Sequence, residues 1–319
     1  MSLVLESDRL RLEIDPAVGG SVLGFEALVG GVWLPILRPA QRPLARSSNA
    51  SSFTLAPYSN RVRDGVFRFE GRTYPLRHPE KHAIHGDVRD RPWRVASRSR
   101  EDVALEIRSS DFPDFNFPFP VVCASRFRLN GSALTMALRL GNAGSERMPA
   151  GCGFHPYFNR ALRPGENVEL ELQARGVYPG QTPLPTGPPI AVPPAQDFKR
   201  LRPFTIALDQ CFAGWDGRAA IHWPQTGVTL RIEATPRFSH VILYSPPGEP
   251  FFALEPVTNA NDGFNLLAAG QADTGVVVLE PGDALEAEVT LRVETDESGS
   301  SPQEPSSPSG DTARKVSST

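Results

Sequence analysis

The strongest constraint on this chain is a two-residue rhythm. Leu10, Leu12 and Ile14 alternate with Arg9, Arg11 and Glu13. Val103, Leu105 and Ile107 alternate with Ala104, Glu106 and Arg108. The same apolar stripe recurs at Leu134, Met136, Leu138 and Leu140, at Val168, Leu170 and Leu172, and at Val228, Leu230 and Ile232. Near the end, Leu285, Ala287, Val289, Leu291 and Val293 face one way, and Glu286, Glu288, Thr290, Arg292 and Glu294 the other. Successive side chains of a strand point to opposite faces, so each stripe reads as a strand with one dry and one wet face, as in antiparallel sheets. Glu70-Gly71 joins Val66–Phe69 to Thr73–Leu76 in what reads as a hairpin, and Asn130-Gly131 makes a second turn. No segment reads as a helix longer than about three turns, and there is no short repeat of the propeller or solenoid kind.

Proline supports the same reading. The chain has 32 prolines in 319 residues, roughly twice the usual ~5%. Proline belongs at turns and strand edges rather than inside helices. The expectation is an all-β protein, most economically large antiparallel sheets packed face to face in one domain over residues 1–297. Two segments break the rhythm. Tyr178 to Pro203 carries eight prolines and reads as a long surface excursion. From Ser298 to Thr319 the composition falls to Ser, Pro, Gly and scattered charge, which predicts a disordered tail.

Composition narrows the class of partner. A net charge of −3 provides no global field for nucleic acid or an anionic membrane, so neither is expected as a partner. Charge is uneven, however: Arg61 to Arg100 holds ten arginines and Lys81 against five acids. These read first as arginines pointing outward along exposed strands, and second as a pocket for an anionic group such as a sugar phosphate. Cys123, Cys152 and Cys211 form no framework spacing, the N-terminus shows no secretory pattern, and no apolar run nears the ~20 residues that span a bilayer. The expectation is a cytoplasmic protein with reduced thiols, a monomer or weak homodimer. His78, His82 and His85 cluster, but Pro79 and Gly86 oppose a helix that would align them on a metal, so no metal site is expected.

Chemistry-bearing residues stand in five short segments. Apolar residues from Phe251 run into Glu255-Pro256 and a polar loop, and Gly153-Phe154-His155-Pro156-Tyr157-Phe158 offers a matching histidine. One glutamate and one histidine, each beside a proline, read as a base and an acid that move protons on a sugar. The small residues Gly151 and Gly153 suggest room for a ligand, while Tyr157 and Phe158 read as core more readily than as a sugar platform. Asn60-Arg61 pairs an amide with a guanidinium, suited to forked hydrogen bonds with sugar hydroxyls. His85-Gly86 reads as a ligand-lining loop, Gly86 allowing close backbone approach. Asp209 is a lone acid between apolar residues, which invites a hydroxyl partner.

Taken in order, these segments resemble the aldose 1-epimerase (galactose mutarotase) family over nearly all of Leu10 to Val293. The Asn60-Arg61 loop comes first, then His85-Gly86 followed by Trp93, then His155-Pro156-Tyr157-Phe158, Asp209 with Phe212, and Glu255-Pro256. The family often has a second glycine after the His-Gly pair, where this chain has Asp87. The resemblance implies a β-supersandwich with an open cleft and a small-molecule sugar as substrate. It implies Glu255 as general base, His155 as general acid, and Arg61, His85, Asp209 and Asn60 around the substrate. It implies no cofactor, because opening and closing a sugar ring needs no electron sink. A glutamate near pKa ~4.3 would be ionised at neutral pH, and a histidine near ~6.5 could be protonated with help from acidic neighbours. The competing readings are an epimerase of hexose 6-phosphates, a non-catalytic sugar binder on the same scaffold, and a glycoside-processing enzyme with Asp209 as second carboxylate.

Overall fold

The computed structural model describes residues 2–180 and 184–296. The sequence-predicted tail, 298–319, lies outside the described residues. The architecture is all-β, and the alternating stripes become strands in the register the sequence implies. Asp102–Arg108, Val121–Asn130, Ala133–Asn142 and Ala284–Thr295 lie side by side, antiparallel, each with alternate residues buried. Their turns behave as read: Asn130 pairs with Ala133 across Gly131, and Phe69 pairs with Arg72 across Glu70-Gly71.

The sheets are unequal. One hydrogen-bonded sheet takes in fourteen strands, and a second, of four, joins Leu3–Glu6, Leu10–Asp15, Ser21–Val29 and Val32–Pro35. Leu12 and Phe25 of the small sheet share one continuous apolar core with Leu105, Phe127, Leu138, Leu230, Val289 and Leu254 of the large one. Burial of that many apolar side chains, at about 25 cal/mol per Å² removed from water, is the main force holding the sheets together. Cys123, Cys152 and Cys211 are buried and free. No helix is long and apolar enough to cross a membrane among the described residues; the α-helix Gly263–Ala268 has six residues.

The segment read as a surface excursion is only partly one. Phe198–Pro203 is a strand on the open side of Glu169–Val177, and Ile190 bridges back to Val177. Its side chains are mostly exposed, so it carries no burial alternation that the sequence could show. The strand forms because the backbone groups of Glu169–Val177 need partners on that side.

The face that carries the candidate site residues lies toward the Thr54–Leu55 end of the large sheet. Phe251–Val257 pairs with His240–Ser245, which pairs in turn with Leu208–Trp223. On the opposite side of Phe251–Val257 stand the short strands Gly153–Phe154 and Tyr157–Asn159. Alternation sends Phe252, Leu254, Val241, Leu243 and Phe212 into the main core. It sends Ala253, Val257, Ile242, Cys211, Ala213 and Tyr157 to the other face, where with Phe53 and Leu55 they make a second, smaller apolar cluster. That second cluster is the floor on which the site is built.

Candidate active site

Glu255 lies between Leu254 of the main core and Pro256, and it projects with Ala253 and Val257 onto the smaller cluster. Its register partner is Ile242. Asp209 occupies the same face two strands away: it is paired with Tyr244, two residues along from the Cys211–Ile242 pair. His155 stands between the two short strands, with its backbone N–H donating to the Phe53 carbonyl at 3.0 Å. Strand pairing thus brings together two groups far apart in sequence. His155 Nε2 lies 3.2 Å from Glu255 Oε1.

Rings wall the pair on the histidine side. Phe53 stacks on His155 at 4.6 Å and 25°, and Tyr157 lies 4.5 Å from it on a tilt. His85 stands perpendicular to His155, with centroids 5.2 Å apart. The His85 loop is held in an uncommon conformation. Asn60 and His85 both have positive φ, 50° and 71°, and the His85 N–H donates to the Asn60 carbonyl. Such backbone settings cost energy and persist only where surrounding contacts fix them. Gly86 is required next: its φ is +68°, and a Cβ there would sit 2.0 Å from the Ala56 carbonyl oxygen.

Asn60 and Arg61 act as a unit. The Asn60 Oδ1 accepts from Arg61 Nη1 at 2.9 Å, so the amide oxygen aims the guanidinium. Asp209 and Glu255 both stabilise the Arg61 charge against its burial, which gathers Arg61, Asp209 and Glu255 in one electrostatic neighbourhood. All six sequence-predicted site residues therefore converge on this face. Asp87, where the family often has glycine, has a structural role here: its Oδ2 accepts from Arg91 Nε at 2.7 Å and from the Asn116 N–H at 2.8 Å.

The protonation expected from reference values is overturned by burial. His155 and Glu255 are 5% and 1% exposed. Burial raises the Glu255 pKa well above the usual carboxylate range; Asp209 adds to the rise and Arg61 opposes it. Burial, followed by the Arg38 charge, holds the His155 imidazole down to about 3. His85 is pushed well below the usual value by burial and by His155, and burial raises Asp209 against the pull of Arg61. A lone ion in such a site is costly, so the pair favours net-neutral states that share one proton. His85 Nδ1, His155 Nδ1 and Glu255 Oε2 are buried and make no hydrogen bond among the described residues. Buried polar atoms are rarely left so, and a cluster of them in one place marks where a ligand's hydroxyls would bond.

The expected room beside Gly151 and Gly153 is not there. A Cβ on Gly151 would meet Asn259 Oδ1 at 2.0 Å, and one on Gly153 would meet the Pro256 carbonyl at 2.7 Å. These glycines admit the neighbouring strand rather than a ligand. Tyr157 and Phe158 separate by alternation, Tyr157 to the site and Phe158 to the main core. Sequence reasoning missed Phe53 and Arg38. The Arg38 guanidinium packs 3.6 Å over the Tyr157 ring and 4.3 Å from Phe251, and donates to the Ser48 carbonyl at 2.8 Å. Neither sits in a motif, and only the fold brings them in. Among the described residues no three His, Cys, Asp or Glu side chains gather as metal ligands; His82 Nδ1 instead accepts from the Asp64 N–H at 2.9 Å.

The chain is similar to known proteins along most of its length. The family model described as aldose 1-epimerase matches residues 16–292. The protein YphB of Escherichia coli (strain K12) is 31% identical over 307 residues, covering 91% of this chain and 98% of its own. A galactose mutarotase-like protein from Clostridium acetobutylicum superposes with a TM-score of 0.80 at 18% identity, covering 92% of this chain and 95% of that one. The GalM/aldose epimerase homologue from C. elegans superposes with a TM-score of 0.76 at 18% identity, covering 92% and 99%.

Proposed function

The chain belongs to the aldose 1-epimerase family, and from that premise we propose that it interconverts the α and β anomers of a free aldohexose, with Glu255 and His155 as the proton-transfer pair. The observation that carries this is the contact between His155 Nε2 and Glu255 Oε1 at 3.2 Å. The reaction needs a base at the C1 hydroxyl and an acid at the ring oxygen. Both oxygens are bonded to C1, so the two groups must converge on one small region, as these do.

Ring opening takes the proton from the C1 hydroxyl as the ring oxygen gains one and the bond from C1 to the ring oxygen breaks. The products are an aldehyde at C1 and a hydroxyl where the ring oxygen was. Rotation about C1–C2 presents the other carbonyl face, and closure runs the transfers backwards. By family position Glu255 is the base and His155 the acid. The pair holds one proton in total, whether as carboxylate and imidazolium or as carboxylic acid and imidazole, and leaves with one after each turnover. Each positioned group typically supplies ~10²–10⁴-fold. Arg61, oriented by Asn60, and His85 and Asp209 bind hydroxyls and steady the open chain, while Phe53 and Tyr157 wall the sugar. No electron leaves the substrate, so these residues suffice for the steps described.

A buried carboxylate in hydrogen-bond reach of an imidazole is what proton transfer needs and hydroxyl binding alone does not, which favours this over a pure sugar binder. The test is the rate at which freshly dissolved α-D-glucose and α-D-galactose approach anomeric equilibrium, followed by polarimetry. Acceleration over buffer is expected; no acceleration of any aldose would overturn the reading.

A further inference from the structure

A cavity of about 630 Å³ opens beside the loop that carries His85: Ala83, Ile84 and Gly86, on either side of that histidine, line it. Five cationic side chains, Arg46, Arg77, Lys81, Arg89 and Arg91, face three carboxylates, Asp87, Asp90 and Asp114. The carboxylates are not shared evenly. Arg91 takes Asp87 at 2.6 Å and Asp114 at 3.0 Å, and Arg77 also reaches Asp114. Arg46 and Lys81 form no ion pair among the described residues, and Arg89 has only its sequence neighbour Asp90, at 3.6 Å. The Tyr58 hydroxyl, on a side chain that is 1% exposed on the cavity wall, makes no hydrogen bond among the described residues.

Arg89 connects this cavity to the proton-transfer pair. Its guanidinium carbon lies 5.9 Å from the Phe53 ring, and that ring stacks on His155. Its charge is felt at both His155 and His85. Of the other cations felt at His155, Arg38 is committed to the Ser48 and Ala50 carbonyls, and Arg61 to the Asn60 amide oxygen and the charges of Asp209 and Glu255. Arg89 is thus the cation near the pair with donors to spare, one aromatic ring away from it and in the lining of a cavity with surplus positive charge.

We propose that the aldose this site is built for carries an anionic substituent, received by Arg89 and the other unpaired cations of the cavity, Arg46 and Lys81, while C1 meets Glu255 and His155. The inference rests on the mutarotase chemistry of that reading and replaces its neutral aldohexose with an anionic one. An unpaired cation cluster binds an oxyanion by charge-assisted hydrogen bonds, and a planar guanidinium suits a phosphate, sulfonate or carboxylate alike.

Kinetics on α-D-glucose, α-D-glucose 6-phosphate and α-D-glucuronate test it, with anomer exchange read by NMR. The expected wild-type kcat/KM is about tenfold or more higher for at least one anionic sugar than for glucose, the scale of one charged hydrogen bond. Comparing phosphate with carboxylate identifies the oxyanion. Arg89→Gln should lower the anionic-to-neutral ratio of kcat/KM by about tenfold, chiefly through KM, and Arg89→Lys should restore part of it. Glucose turned over as well as both anions, or a ratio unmoved in Arg89→Gln, would overturn the anionic subsite and leave the mutarotase reading standing. No turnover of any of the three sugars would overturn both.

Discussion

At the scale of single residues, burial changes what Glu255 and His155 can do. The motifs picked out two side chains that strand pairing puts in contact, but their protonation was not legible. It depends on burial against Phe53 and Tyr157 and on the charges of Arg38 and Arg89, and of these only Tyr157 stands in a motif. On the proposed mechanism the pair works with one shared proton, so its titration is a property of the pair. His155 is held down to about 3 and Glu255 is raised, so the one-proton state should persist through the ordinary histidine range. The kcat/KM profile, corrected for buffer catalysis, should stay flat through pH ~6.5 and fall only as the pH nears the low His155 value. An acid limb centred near pH ~6.5 would mean that His155 titrates as a free imidazole. His155→Asn should slow turnover by about 10²-fold or more. Since the two groups act as a unit, Glu255→Gln combined with His155→Asn should be scarcely slower than the worse single variant. Additive losses would show that they work separately.

At the scale of elements, the half-buried strands were legible because each has one dry face. Less legible was the join into one fourteen-stranded sheet, which rests on pairings such as Ala284–Thr295 with both Val228–Ala234 and Ala133–Asn142. Those contacts are remote in sequence, and period-two patterning does not choose partners. Phe198–Pro203 was hidden for another reason: as an exposed strand among prolines it has no dry face to announce it. The His85 loop is the element on which the site depends most. Gly86→Ala should cost about 1–3 kcal/mol through the positive φ and the clash with the Ala56 carbonyl, and should lower activity by moving His85. Chemical denaturation with a parallel rate assay checks this; unchanged stability would mean the loop is not fixed by that contact.

At the scale of the whole molecule, burial disfavours the charged form of several histidines. His240, 1% exposed, has its pKa lowered to about 4, chiefly by burial. The unfolded chain protonates this group near ~6.5. Its contribution is therefore present above that value and is lost as the pH falls toward about 4. Between neutral pH and pH ~4.5 the loss should be on the order of 2–3 kcal/mol, and His240→Asn should remove that part of the acid sensitivity. Urea unfolding at the two pH values measures it; an equally steep pH dependence in the variant would contradict it. On the proposed reading, the fold as a whole serves to bring a strand glutamate and a loop histidine to one sugar carbon. The most direct test of that claim is polarimetry of fresh α-D-glucose and α-D-galactose, or of whichever anionic aldose proves the better substrate, with wild type beside Glu255→Gln. The account predicts that wild type speeds the approach to equilibrium and that Glu255→Gln, still folded, is slower by about 10²-fold or more. A variant as fast as wild type would contradict it.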